Sequence, residues 1–440
     1  MRFYDREQEL SELKEMQRQS FEDHSRMTIL TGRRRIGKTC LGQLAIRDSK
    51  SVYLFVGRKD EAILCSEFIS LIKSVLGDVP SGMKTFREVF KLLMMIGQSQ
   101  NFNLFIDEFQ EFYYINKSVF SDIQNIWDQY RRTSHVNLIL SGSVYVMMEK
   151  IFKDEKEPLF GRADKEICLR PFSTDVMRQI MRDNYPGYTN DDLLALYSIT
   201  GGVPKYIELL ANNKCLTIEK MINFTTRQDS LFIDEGRNLL VQEFGKNYGI
   251  YFSILQLIAN GELTQREIQG KMVDSRNIGG QLRMLEEDYD LITKYRPIKA
   301  KEGSQTVKFE IKDNFLRFWF RYFDKYRSLI EIGNFKMLGT IIKNDYPVFS
   351  GFALERWFRQ KFMESQNYVD IGGWWLPQSR DPEEIDIVTE DLEGNVNAWE
   401  VRRQRKKYMP SLLEEKASVI QNKIFKGRDV QIGCLSLEEM

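Results

Sequence analysis

Through the first 170 residues, unbroken apolar runs alternate with stretches in which apolar positions recur at helical spacing. The runs are "SRMTILTG" from Ser25, "SVYLFVG" from Ser51, "FNLFIDE" from Phe102, "VNLILSGS" from Val136 and "KEICL" from Lys165. Between Arg6 and Arg18, Leu10, Leu13 and Met16 sit at helical intervals among charges, and "KTCLGQLAIRD" after the first run repeats that period. Short continuous runs suit strands buried on both faces, and helices between them supply the crossovers of a parallel sheet. Five strands linked this way predict an α/β fold with a doubly wound parallel sheet.

Beyond "RPF" at Arg170 to Phe172 the period changes. Up to about residue 240 the pattern predicts short helices broken at "YPGYTN" and "TGGVP", a helical lid. From Tyr251, three helices are expected, the second opened by a Thr264–Glu267 capping box, and "LITKY" and "VKFEI" then pair across a polar loop. That order predicts a winged helix-turn-helix. The run "NFLRFWFRYFDKY" is too aromatic for a solvated surface and is expected in a core. A helix over Phe335 to Asn344 precedes a last unit starting near Gly351, with a helix "GFALERWFRQKF", strands at "EEIDIVTE" and "NAWEVRR", and a helix from Ser411. The expected domains are 1–172, 173–245, 246–330 and 331–440.

Composition narrows the class. Over 440 residues, 42% apolar and 29% charged side chains describe a globular chain of several domains. Lys plus Arg and Asp plus Glu are both 63, so any attraction for nucleic acid must be local. Five scattered cysteines with no C-x-x-C spacing argue against a disulfide framework or a zinc ribbon, and suit a reducing cytoplasm. Two histidines leave little for a histidine metal site. A charged N-terminus and the lack of an eighteen-residue apolar run give no expectation of a membrane segment.

The chemistry begins at "LTGRRRIGKTC". Gly32, Gly37, Lys38 and Thr39 have the spacing of a phosphate loop, between a strand and a helix. Glycines let the backbone curl around anionic oxygens, the lysine reaches the terminal phosphates, and the hydroxyl holds magnesium. Cys40 follows in the same helical first turn, whose amides point at the nucleotide. "NLFIDEF" supplies Asp107 as a magnesium carboxylate on a neighbouring strand and Glu108 to orient or deprotonate the attacking water. Ser141 and Ser143 of "LILSGS" could sense the terminal phosphate, although a plain turn would read the same. Arg162 in "PLFGR" could stabilise transition-state charge from a loop or from a neighbouring subunit; a surface salt bridge is the equal alternative.

Together, "FYDREQEL", "GRRRIGKT", "LFIDEF", "LILSGS", "PLFGR", "TGGVPKYI" and "NFLRFWFRY" resemble the archaeal-type ATPases among the STAND and AAA+-like P-loop families, many of which carry a DUF234-type C-terminal domain. The resemblance implies that Arg6 and Glu7 lie near the adenine and that Gly201, Gly202 and Pro204 belong to a lid motif over the nucleotide. It implies ATP as the nucleotide, with Mg²⁺. No N-K-x-D guanine-reading motif follows the last strands, in agreement with ATP.

The tail is similar to the PD-(D/E)xK nuclease fold. The resemblance assigns Asp386 and Glu400 to a divalent-cation site, with Glu355 as a third carboxylate. Arg402 replaces the expected lysine, and a guanidinium can stabilise charge but cannot act as a base. "RRQRKK" from Arg402, with Arg276, Asn277, Gln281 and Arg283 near the expected recognition helix, could contact DNA. The expected function is a Mg-dependent ATPase switch, cytoplasmic and able to self-associate, coupled to a winged helix and a nuclease-like module near DNA. The alternative is a nucleotide-gated scaffold with an inactive tail.

Overall fold

The computed structural model describes residues 2–143, 145–245, 248–261, 263–272, 277–301, 307–375 and 384–440. It divides into two compact units, Tyr4–Arg170 and Pro171–Met440; Arg2 is tied to the second by an ion pair with Asp183.

The first unit is built on β1 (Arg26–Gly32), β2 (Ser51–Phe55), β3 (Phe102–Asp107), β4 (Val136–Ser141) and β5 (Lys165–Leu169), all parallel, in the order β2-β3-β4-β1-β5. All six residues of β3 and of β4 are buried, as central strands covered on both faces require. Side-chain alternation splits β3 between two cores. Phe102, Leu104 and Ile106 join the helices Glu61–Leu76, Phe86–Ile96 and Ser118–Tyr130, while Phe105 joins Leu13, Leu41 and Ala45 on the other face. On that second face, a Cβ on Gly42 would stand 2.6 Å from the Phe105 ring, so glycine lets the helix Lys38–Ile46 lie close to the sheet.

The strand order corrects one expectation. Asp107 is not on a strand adjacent to β1, because β4 lies between β1 and β3. The carboxyl ends of three strands therefore contribute to one edge, where open α/β sheets bind ligands.

The second unit opens with the helices Thr174–Asn184, Asn190–Thr200, Pro204–Asn212, Ile218–Thr225 and Phe232–Phe244. The helices Tyr248–Ala259, Gln265–Lys271 and Gly279–Arg283 follow, the second with its Thr264–Glu267 capping box in place. An antiparallel pair comes next, β6 (Ile292–Tyr295) and β7 (Lys308–Ile311). The aromatic stretch is core: Phe315, Phe318, Trp319, Phe320, Tyr322 and Phe323 are all buried, and the Trp319 indole donates to Ile233 O at 2.7 Å.

Where two helices are expected around Gly351, one 31-residue helix, Phe335–Ser365, runs through Pro347. Proline inside a helix removes a hydrogen bond and costs about 3 kcal/mol. Burial of Tyr346, Phe349, Ala353 and Leu354 on both sides of it opposes a break. The tail sheet has four strands, in the order β11-β10-β9-β8: β8 (Tyr368–Trp375), β9 (Glu384–Asp391), β10 (Val396–Val401) and β11 (Val430–Leu435). β8 and β11 go beyond the two expected strands. The paired glycines of "YVDIGGWW" hide β8 from a propensity reading, yet they belong to its packing: a Cβ on Gly373 would meet the Tyr295 hydroxyl at 2.3 Å.

Residues 171–440 pack as one body because the long helix is shared. Tyr197 OH donates to Gln360 at 2.8 Å and its ring meets Trp357 edge-on. Tyr346 OH and Arg403 both bond Asp191, at 3.0 and 2.6 Å. Among the described residues no helix is long and apolar enough to cross a membrane.

Candidate functional site

The loop after β1 is shaped by its glycines. Gly32 has φ +136°, and a Cβ there would stand 2.7 Å from Leu169 O of β5, so both backbone and space demand glycine. Gly37 has φ +97° in open surroundings, so conformation alone selects it. Arg35 also takes a left-handed φ of 69°, and Arg33, Arg34 and Arg35 are each half-buried. Lys38 opens the following helix, buried, with Nζ donating to Gly32 O at 2.8 Å and Arg33 O at 3.0 Å. Cys40 is exposed one turn into that helix.

Asp107 is the hub of this edge. It is buried, and its donors are three hydroxyls and an amide rather than a basic side chain. Thr39 Oγ1 donates to Oδ2 at 2.6 Å, Tyr53 OH to Oδ2 at 3.1 Å, Ser141 Oγ to Oδ1, and the Glu108 amide to Oδ1 at 3.0 Å. Burial, and then the Asp107 charge, push the Tyr53 hydroxyl far above its usual range, so Tyr53 stays a donor. A buried carboxylate beside a threonine hydroxyl, with no paired cation among the described residues, offers the hard oxygens that magnesium takes alongside phosphates.

Glu108 sits in the left-handed region at φ 54°, a costly backbone for a non-glycine residue. Both donors to its carboxylate reach one oxygen: Ser143 Oγ at 2.7 Å and Gln110 Nε2 at 2.5 Å, each to Oε2. The "SGS" of the sequence thus divides its work, with Ser141 on Asp107 and Ser143 on Glu108. Tyr53 and Gln110 were not foreseen. Their types carry no motif; strand order brings Tyr53 to Asp107, and the tight turn after Glu108 folds Gln110 back onto it.

Arg162 is elsewhere. It precedes β5, where Asp164 N bonds Met27 O at the start of β1, and its guanidinium pairs with Asp128 at 3.0 Å. That is the amino edge of the sheet, opposite the phosphate loop. Within one chain it cannot reach that loop, since the length of β1 intervenes. Arg6 is buried and caps its own helix region: its guanidinium bonds Glu9 at 3.1 Å and Arg170 O, and its carbonyl accepts from Leu10 N. Glu7 is exposed in the first helical turn.

In the second unit Gly201 and Gly202 take φ of 60° and 75°, and Pro204 starts the next helix. A Cβ on Gly202 would be 2.8 Å from Phe172 O. Of the expected groove-contacting residues, Arg276 lies outside the described residues. Asn277 bonds Gly279 N at 2.9 Å, Gln281 is half-buried, and Arg283 pairs with Glu287 at 2.6 Å.

The tail acids gather beside the β6–β7 hairpin. Asp386 Oδ2 accepts from Val401 N at 2.7 Å, and Arg402 spans both candidates, 3.6 Å from Asp386 and in tighter contact with Glu400. Burial raises the Asp386 carboxyl, while the Val401 amide and Arg402 oppose it. Burial also pushes Glu355 up to about 7, reinforced by Asp386, Glu310 and Glu384 and opposed by Arg359. Glu310 of β7 goes the other way. Burial alone would raise it, but Arg359, Arg356 and Arg317 hold it down at about 2. Arg359 bonds Glu310 and Glu355 at 3.2 and 3.3 Å and lies 4.1 Å over the Tyr295 ring. Tyr295 OH donates to Asp386 O at 2.9 Å, so the hairpin is bolted to the tail. Among the described residues no three acids, cysteines or histidines cluster as metal ligands.

A glycine-cornered loop between β1 and a helix, facing a buried Asp107 at the end of β3 and the half-buried Glu108 that follows it, defines the P-loop ATPase class of fold. Residues 3–210 match the family described as "ATPase domain predominantly from Archaea", and residues 319–416 match DUF234, "Archaea bacterial proteins of unknown function". The chain therefore carries an archaeal-type ATPase domain followed by a DUF234 domain. It is 27% identical over 395 residues to "Uncharacterized protein MJECL04" of Methanocaldococcus jannaschii, covering 88% of this chain and 84% of that protein. The fold is similar to "the walker-type atpase paby2304" of Pyrococcus abyssi, with TM-score 0.55 and 18% identity over 72% of this chain and 96% of that one. It is also similar to the ORC2 protein of Aeropyrum pernix in its "ADPNP-ADP complexes", with TM-score 0.50 and 14% identity over 74% and 94%.

Proposed function

We propose that residues 4–170 bind and hydrolyse ATP with magnesium, and that the cycle switches the conformation of residues 171–440. The observation that carries this is the Asp107–Glu108 pair, one acid bonded to the phosphate-loop threonine and the other held by Ser143. Lys38 would release its loop carbonyls to reach the terminal phosphates, and Thr39 and Asp107 would hold the metal. Magnesium, when bound, would neutralise phosphate charge. Glu108 would orient the attacking water and Ser143 would register the terminal phosphate. The adenine would lie near Arg6, with Gly202 and Pro204 as the lid motif, and Arg162 could complete only a neighbouring copy's site. Steady-state ATP hydrolysis by the full chain tests the reading. Lys38→Ala and Glu108→Gln are expected to abolish it, and turnover unchanged in both would reject it.

For the tail, one observation favours binding over cutting. Arg402 occupies the space between Asp386 and Glu400 with its own positive charge. The segment 246–330, read as a winged helix, then acts as a lever, since its hairpin is fixed to the tail and Arg283 is already paired. Incubation with labelled DNA and Mg²⁺ or Mn²⁺ tests this: no cleavage is expected, and cleavage abolished by Asp386→Ala would make the tail a nuclease.

A further inference from the structure

Gln110 lies two residues after Glu108 and is completely buried. Its Nε2 donates to Glu108 Oε2 at 2.5 Å and makes a longer contact of 3.5 Å to Glu111 Oε1. Two carboxylates on one side leave the amide no choice of orientation, because only NH₂ can face them. The cost falls on the other end. Gln110 Oε1 is buried with no donor. An orphaned buried acceptor costs about 1–3 kcal/mol, and a methionine of similar volume would avoid it.

The neighbourhood gives way to this amide. A Cβ on Gly142 would stand 2.4 Å from Gln110 Oε1 and 2.5 Å from Met148 Sδ, so the glycine between Ser141 and Ser143 is what admits Gln110. Glu108 itself holds a left-handed φ of 54°. Backbone strain, an unmet acceptor and an obligatory glycine thus converge on one carboxylate. Such costs persist where geometry at a site is worth more than local stability.

We infer that Gln110 is a positioning residue for the hydrolytic step. With Ser143 it pins Glu108 Oε2, which fixes the carboxylate plane and leaves Oε1 as the oxygen that accepts from water. This rests on the reading of Glu108 as the residue that orients water.

The test uses the full chain with Gln110→Met and Gln110→Glu, both close to glutamine in volume, and measures kcat, KM for ATP, nucleotide affinity and Tm. Gln110→Met is expected to lower kcat roughly 10- to 100-fold, as loss of orientation does, with KM and nucleotide affinity within about twofold. Gln110→Glu removes the donated amide hydrogen bond and sets a second carboxylate against Glu108, so it is expected to lower kcat at least as far as Gln110→Met, again with KM and nucleotide affinity within about twofold. Wild-type kcat in both variants would overturn the inference. So would kcat losses that merely follow falling nucleotide affinity and Tm. Glu108→Gln in parallel separates the two levels: if it retains full turnover, the reading of Glu108 fails, whereas a dead Glu108→Gln beside unaffected Gln110 variants overturns the positioning role alone.

Discussion

Thr39 Oγ1 donates to Asp107 Oδ2 at 2.6 Å across the end of β4, joining the phosphate-loop helix to a strand two places away in the sheet. The contact sets two magnesium-type ligands side by side before any nucleotide arrives. A preformed pair of this kind lowers the ordering cost of binding.

Asp107→Asn keeps the shape and removes the charge. The variant is expected to lose the part of nucleotide affinity that depends on Mg²⁺. Titrating a fluorescent ATP analogue with Mg²⁺ and with EDTA should show a clear difference in Kd for the wild type and a difference near zero for the variant. An undiminished difference would remove Asp107 from the metal site.

Gly32→Ala is expected to destabilise the first unit by at least ~2 kcal/mol, because strain at positive φ adds to a 2.7 Å approach to Leu169 O. Gly37→Ala has the strain without the clash and should cost less. Urea midpoints of the two variants check the order.

Glu355 is expected to carry a pH signature. Its folded carboxyl sits at about 7 against an ordinary 4.5. The folded state therefore holds a proton that the unfolded chain has released, and stability falls as pH rises from about 4.5 to 7. Glu355→Gln removes that slope. Its Tm should exceed the wild type's at pH 8, by a stabilisation on the order of 2 kcal/mol, with the advantage shrinking toward pH 4. The reverse order at pH 8 would show that the ionised form is the favoured one.

Arg402→Ala leaves Asp386 and Glu400 without their shared cation. Tm is expected to drop at pH 8 and to recover toward pH 4, since burial already raises the Asp386 carboxyl and protonation relieves the repulsion. A drop independent of pH would point to lost packing instead.

Glu310 illustrates how little of the second unit was legible from pattern. As a polar position on a two-residue period it predicts a solvated wing strand, whereas Arg356 and Arg359 from a helix forty-odd residues on enclose it. Burial on both sides of Pro347 carries that helix through, and pairing with β9 draws β8 into the sheet despite its two glycines.

What the sequence determined by itself is local and periodic: five parallel strands, the loop from Gly32 to Thr39, the Asp107–Glu108 pair and the Thr264 cap, because each depends on residues near in the chain. The tertiary structure decided which strand ends meet. It put β4 between the loop and the acids, sent Ser141 to one and Ser143 to the other, brought Tyr53 beside Asp107, and set Arg162 on the far edge of the sheet. Strand order follows from crossovers and burial across the whole unit, and no short stretch of sequence encodes it.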